Sequence, residues 1–282
     1  MIVTYEDHCG DDLKVVNMAR VSFGKRSKWV QREEMVKEYV ENGWGYPEER
    51  TGILSKPDQS LIAFLARGCT SGDWDKVFVE VQEAGHTIGE TVLYQEGGGG
   101  GNLKEDEDTL TDLLNHIKKM PSHWTPFGHC QVTLHMKVPL FVARQIHKHQ
   151  VGFVVNEVSR RYVTDEPEFY VPEVWRKAAD NVKQGSSDEE VEVPTTLWQQ
   201  FGYQQGNYEE LLELGVCPEQ ARMVLPQSMY TEFFMTGSLM GWANMYNQRS
   251  DPHAQKEVQE VAQQIQEIIQ PLYKYSWKEL TR

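Results

Sequence analysis

The chain predicts an α+β fold, rich in helix and built around a small central antiparallel or mixed sheet. Two periodicities carry that reading. Residues 130–138 alternate, with Val132, Leu134, Met136 and Val138 on one face and Gln131, Thr133, His135 and Lys137 on the other, the pattern of a half-buried strand. Beyond residue 252, Val258, Val261, Ala262, Ile265, Ile268, Ile269 and Leu272 recur at the spacing of a helix that buries one side. Helical patterns dominate the remainder, and no internal repeat is present. We expect a single domain over 1–282 with an insertion at about 69–121.

The elements follow in chain order. Residues 1–25 read as a strand or turn and then a short helix, with Leu13, Val16 and Ala19 at helical spacing before Val21-Ser22-Phe23-Gly24. A second helix is predicted over 28–42 from Val30, Val36, Tyr39 and Val40, stopping at Asn42-Gly43. Leu61 to Leu65 is a helical core segment. The insertion then holds the glycine run Gly97–Gly101, the acidic stretch Glu105–Asp108 and an amphipathic segment with Leu110, Leu113, Leu114 and Ile117. Consecutive glycines lose too much freedom on ordering to sit inside a helix or strand, so the run is read as a surface loop.

After the strand at 130–138, Pro139 opens a helix. On it Arg144 and Lys148 lie four apart, as do Gln145 and His149, so all four can face one site. A polar, acidic loop is expected over 178–195, a helix over about 195–214 stopped by Gly215, and another from about 218 through 247.

Composition excludes several functions. The 282 residues hold 28 Lys+Arg against 42 Asp+Glu, a net charge of -14, which disfavours general nucleic-acid binding. No run of about 18 apolar residues suggests a membrane span, and no secretory signal is visible at Met1, so a cytoplasmic protein is expected. Cys9, Cys69, Cys130 and Cys217 are far apart and form no metal knuckle, and no histidines pair with carboxylates at ligand spacing, so no metal is expected. No G-x-G-x-x-G or P-loop appears.

Against that acidic background, Arg144 to Tyr162 is a basic island. It carries Arg144, Lys148, Arg160, Arg161, His147 and His149 against the single carboxylate Glu157. Such an island suits a pocket for a small anion such as a phosphate.

Here the residues carry a resemblance. Lys148-His149-Gln150 followed by Asn156-Glu157-Val158-Ser159-Arg160-Arg161-Tyr162 resembles the Arg-His-Arg signature of the flavin-dependent thymidylate synthase family. Around it stand Ala19-Arg20-Val21-Ser22-Phe23, His123-Trp124-Thr125-Pro126-Phe127, Val142-Ala143-Arg144-Gln145, Ala221-Arg222-Met223-Val224-Leu225-Pro226 and Arg249-Ser250-Asp251-Pro252-His253-Ala254-Gln255, in family order. The departures are Lys148 and Gln150 for two arginines, an eight-residue gap before Ser159 in place of seven, Gly128 for a glutamate, and Gly237-Ser238-Leu239-Met240 for an Asn-Ala-Arg flavin contact. Lysine offers a phosphate a point charge where arginine offers a planar fork, and glutamine offers no charge.

The resemblance implies a flavin-dependent thymidylate synthase-like fold and a homotetramer holding FAD at subunit interfaces. It implies transfer of a methylene from 5,10-methylenetetrahydrofolate to C5 of a deoxypyrimidine monophosphate, first dUMP, with NADPH reducing the flavin. Arg161 and Arg222 would clamp the phosphate, assisted by Gln145 and the Ser159–Arg160 backbone, and Lys148 would also bind substrate; read without the resemblance, Arg161 and Arg222 fit surface ion pairs equally well. Arg249 would donate to the pyrimidine carbonyls and draw charge from the ring, or is simply a cation near the helix start that Asp251-Pro252 marks. Ser159 is read as positioning rather than nucleophilic. Glu157 is an orienting acceptor or the salt-bridge partner of Arg160 or Arg161. Ser22, Thr125, His149, Gln150, Val151 and Asn244 would meet the flavin; small polar residues are also common helix caps, and a lone histidine is commonly structural. A dCMP hydroxymethylase on the same scaffold, quenching with water, is the alternative, and an inactive nucleotide-binding homologue is a third.

Overall fold

The computed structural model describes residues 1–30, 53–67, 123–179, 186–197 and 199–281. The expected insertion at about 69–121 and nearly all of the helix expected over 28–42 lie outside these residues. The chain forms two compact units, Met1–Met18 with Phe127–Arg282 and Ala19–Pro126.

The larger unit is organised on a four-stranded sheet. Strands β1 (Ile2–Cys9), β2 (Gln131–Pro139), β3 (Phe153–Glu157) and β6 (Tyr230–Ser238) lie in the order β1-β2-β6-β3, every neighbouring pair antiparallel. The alternation of β2 does what it predicts: Val132, Leu134, Met136 and Val138 are fully buried while the intervening residues are half-buried. On β6 the matching face is Phe233 and Met235, set opposite Met136 and Leu134. Burying each of these large side chains stabilises the fold by about 1.5–3 kcal/mol.

Helices follow both central strands. After β2 comes α4 (Leu140–Ile146), and after β6 comes α7 (Leu239–Arg249), whose N-cap Ser238 accepts from the Gly241 N–H at 3.1 Å. Trp242 of α7 is buried; its indole N–H donates to the Val132 carbonyl at 3.0 Å and its ring meets Phe153 edge-on. Gly237 permits that contact, because a Cβ there would overlap the Phe153 ring. Helix α8 (Lys256–Leu272) buries Val258, Val261, Ala262, Ile265 and Ile269, as its periodicity predicts, and packs on β1 and α7.

The two ends of the chain are tied together. The Val3 N–H donates to Gln264 at 3.0 Å, and the Tyr273 hydroxyl donates to the Cys9 carbonyl at 3.2 Å. Buried Asp12 accepts the backbone N–H groups of Tyr275 and Ser276, at 2.9 and 2.8 Å, in the first turn of α9 (Lys274–Leu280).

Four expectations differ from the fold, one of them the helix start at Asp251-Pro252: α8 begins at Lys256 with Gln255 as its N-cap. The helix opened by Pro139 ends at Ile146, and residues beyond it turn at Gly152 (φ 80°) into β3, where Phe153-Val154-Val155 favours extended backbone. The helix expected over 218–247 is instead α6 (Pro218–Ala221), a 3-10 turn (Arg222–Val224), β6 and α7. Pro226 cannot donate to a helix, and the Tyr-Thr-Glu-Phe-Phe-Met-Thr run suits a strand. The loop expected over 178–195 contains a strand, β5 (Ser186–Glu190), paired with β4 (Arg176–Ala178). Its residues are polar throughout, so no alternation announces it. Helix α5 (Gln199–Glu213) does stop before Gly215, which takes φ 85°.

In the smaller unit α2 (Lys56–Arg67) includes the expected core segment, with Ile62 and Leu65 buried. Asp58 accepts from Ser27 (2.7 Å), Ser55 (2.7 Å) and Arg20 (2.6 Å). Burial alone would raise its pKa, but these hydrogen bonds outweigh it and hold the carboxyl below its usual value. The chain runs between the units through α1 (Asp12–Arg20) and α3 (Thr125–Gly128).

Candidate active site

Arg249 is the last residue of α7 and the centre of one cluster. Its Nε donates to His149 Nε2 at 2.9 Å and its Nη2 to the Gln145 carbonyl at 2.9 Å. The Gln145 side-chain amide in turn donates to Gln255 Oε1 at 2.6 Å. Gln145 lies on α4, whereas His149 lies in the turn that follows, so the turn and not helical spacing brings them to one place. Arg144 and Lys148 are exposed, and neither joins these contacts. Burial, with the positive charge of Arg249 beside it, pushes the His149 imidazole down to about 4, so it is neutral at physiological pH. Burial also lowers the pKa of Arg249, which remains a cation.

A second cluster gathers around Glu219 at the start of α6. Arg161 reaches its carboxylate at 3.2 Å, and Arg222 donates to its backbone carbonyl at 3.3 Å. Both guanidinium groups are exposed. Ser159 Oγ accepts from the Arg161 N–H at 3.3 Å, and Arg160 donates to the Asp165 carbonyl. Glu157 ends β3 and accepts from the Thr231 hydroxyl at 2.6 Å; it pairs with neither Arg160 nor Arg161, which have the partners just given. A shallow cavity of about 310 Å³ lies against it, lined by His135, Asn156, Glu157, Glu232 and Phe234 among others.

The residues expected to meet a flavin are distributed. Gln150 and Val151 are exposed in the turn before β3, Val151 at 92%, and Asn244 is exposed on α7. The exposed Val151 side chain and the neighbouring Gln150 amide offer an apolar face and a polar group, which a planar heterocycle with polar edges such as a flavin can use. Ser22, in the 3-10 turn Val21–Phe23, and Thr125, which opens α3, belong to the smaller unit. At the altered 237–240 segment, Ser238 is committed to capping α7 and Gly237 to receiving Phe153. Among the described residues no group of three or more His, Cys, Asp or Glu could hold a metal ion, and no helix is long and apolar enough to cross a membrane.

Sequence reading passed over Glu219, Gln255 and Thr231. Gln255 closes the Arg249–Gln255 segment, and Glu219 stands three residues before Arg222, so both were adjacent to recognised residues. What pointed at neither was the tertiary contact that gives each its partner.

Residues 4–273 match the family described as "Thymidylate synthase complementing protein". The chain belongs to this family. It is 37% identical over 210 residues to a flavin-dependent thymidylate synthase of Thermus thermophilus, covering 72% of this chain and 75% of that protein. A flavin-dependent thymidylate synthase of Thermosipho africanus is 37% identical over 175 residues, 59% of this chain and 72% of that one. Among solved structures, the fold resembles that of a UMP/dUMP methylase, PolB, from Streptomyces cacaoi bound with 5-Br dUMP. The TM-score is 0.62 at 20% identity, over 99% of this chain and 94% of that one.

Proposed function

We propose that this family member is a cytoplasmic homotetrameric enzyme that methylates dUMP reductively to dTMP. The observation that carries the reading is the convergence of Arg161 and Arg222 on Glu219. Two exposed guanidinium groups meeting at one residue, one of them on its carboxylate, offer the planar donor geometry that a nucleotide phosphate requires. Gln145, Lys148, Ser159 and Arg160 assist that clamp. Gln150, Val151 and Asn244 would hold FAD, which when bound and reduced by NADPH would supply hydride, with 5,10-methylenetetrahydrofolate as the carbon donor.

The chain's own residues prepare the pyrimidine. Arg249, held at two points by Gln145 and His149, presents its remaining N–H donors to the ring carbonyls. Donation there draws charge from the ring and stabilises the negative charge that develops as C5 attacks. Glu157, anchored by Thr231, is an orienting acceptor, and Ser159 positions substrate through its hydroxyl. The hydroxymethylase reading is not favoured, since the relatives are named for thymidylate synthesis.

The test is mass spectrometry of products after incubation with FAD, NADPH, 5,10-methylenetetrahydrofolate and either dUMP or dCMP. A methyl gain on dUMP that requires NADPH is expected. A hydroxymethyl gain on dCMP would overturn the proposal in favour of the alternative chemistry, and no product would turn it toward a nucleotide binder.

A further inference from the structure

We propose that His149 is a positioning residue that acts through Arg249, its ring nitrogen Nε2 serving as a fixed hydrogen-bond acceptor that aims the guanidinium. The inference rests on the reading of Arg249 as the pyrimidine-facing cation and assigns His149 a different task from contact with the flavin.

The geometry leaves His149 little choice. Arginine has only donors, so a 2.9 Å contact from Arg249 Nε to His149 Nε2 requires a lone pair on that nitrogen. The ring proton therefore sits on Nδ1. Arg249 Nη2 is meanwhile held by the Gln145 carbonyl, so the fork is fixed from two directions, by a backbone oxygen in the last turn of α4 and a ring nitrogen four residues further on. One anchor would leave the guanidinium free to swing about it; two define its plane. Gln255 braces the first anchor by accepting from the Gln145 side chain at 2.6 Å. Burial and, among the described residues, the charge of Arg249 on α7 both oppose protonation of the ring. The acceptor thus persists across the whole range in which an ordinary histidine titrates.

Two measurements test this on the flavin-loaded protein. The first is titration calorimetry with dUMP on wild type, His149→Ala, His149→Gln, Arg249→Ala and the His149→Ala/Arg249→Ala double variant, with flavin content read from absorbance. His149→Ala is expected to weaken dUMP binding about tenfold, the usual effect of losing a hydrogen bond to a charged group. His149→Gln, whose carbonyl oxygen can accept in place of Nε2, should return affinity to within about threefold of wild type. In the Arg249→Ala background, loss of His149 should cost less than about twofold, because nothing is left to aim. Flavin content should be equal in all five. An equal cost of His149→Ala in both backgrounds, no rescue by glutamine, or a loss of flavin that accounts for the weakened binding would overturn the proposal.

The second measurement needs no nucleotide: hydrogen–deuterium exchange at the imidazole C2 position, followed by mass spectrometry across pH. His149 should titrate well below the ordinary histidine range in wild type and move up toward it in Arg249→Ala. An unchanged titration in that variant would remove the pair. Failure of wild type to bind dUMP would instead defeat the functional reading, while this titration would still decide whether the pair exists.

Discussion

Arg161 and Arg222 meet at Glu219 from opposite sides of a gap of some sixty residues in sequence, one through its side chain and the other through its backbone. An anion entering this place must take the guanidinium groups from a carboxylate that already holds one of them. We therefore expect Arg161→Ala and Arg222→Ala each to weaken dUMP binding about tenfold. The two losses together should be smaller than their sum, because the arginines share a neighbour. Titration calorimetry on the two single variants and the double variant checks both statements. Much of this was legible at the residue level: Arg161, Arg222, Arg249, Gln145 and His149 all stand in recognisable segments. Their partners were not, since Arg249 and His149 are 100 residues apart and no local spacing encodes their contact.

At the scale of elements, the pattern is legible where the buried face is apolar throughout and the opposite face polar, and illegible where it is not. Strand β2 and helix α8 each bury a continuous apolar face, so their periods are plain in the sequence. Strand β5 has polar residues on both sides and shows no period; β6 carries Phe234 on its exposed face and Thr231 on its buried one, which blurs the alternation. The same strand explains one departure from the family pattern. Gly237 lies under the ring of Phe153, its partner across the β3–β6 pair. Gly237→Ala should cost about 1–3 kcal/mol by overpacking this contact. The cost should appear as a lower urea midpoint. Because β3 leads from His149 to Glu157, a weaker β3–β6 pairing should also raise the KM for dUMP.

For the whole molecule, the net charge of -14 and the basic island are complementary facts. An acidic body repels polyanions at long range, while a few clustered cations accept a single small one. The expected assembly is tested by light scattering, which should return four times the 32.6 kDa chain mass. A monomer at the concentrations used for assay would refute it.

The ties between the first strand and the last helices bear on how the protein is made. Val3, Cys9 and Asp12 find these partners at Gln264, Tyr273 and residues 275–276, so the first strand leaves the ribosome long before its ties to the last helices can form. The central pair, β2 with β6, likewise waits about a hundred residues for its second member. Completion of this unit is thus deferred until synthesis is nearly finished: β1 can pair with β2 once residues 131–139 are made, but β6 and the last helices come only afterwards, and until then β2 keeps an open edge.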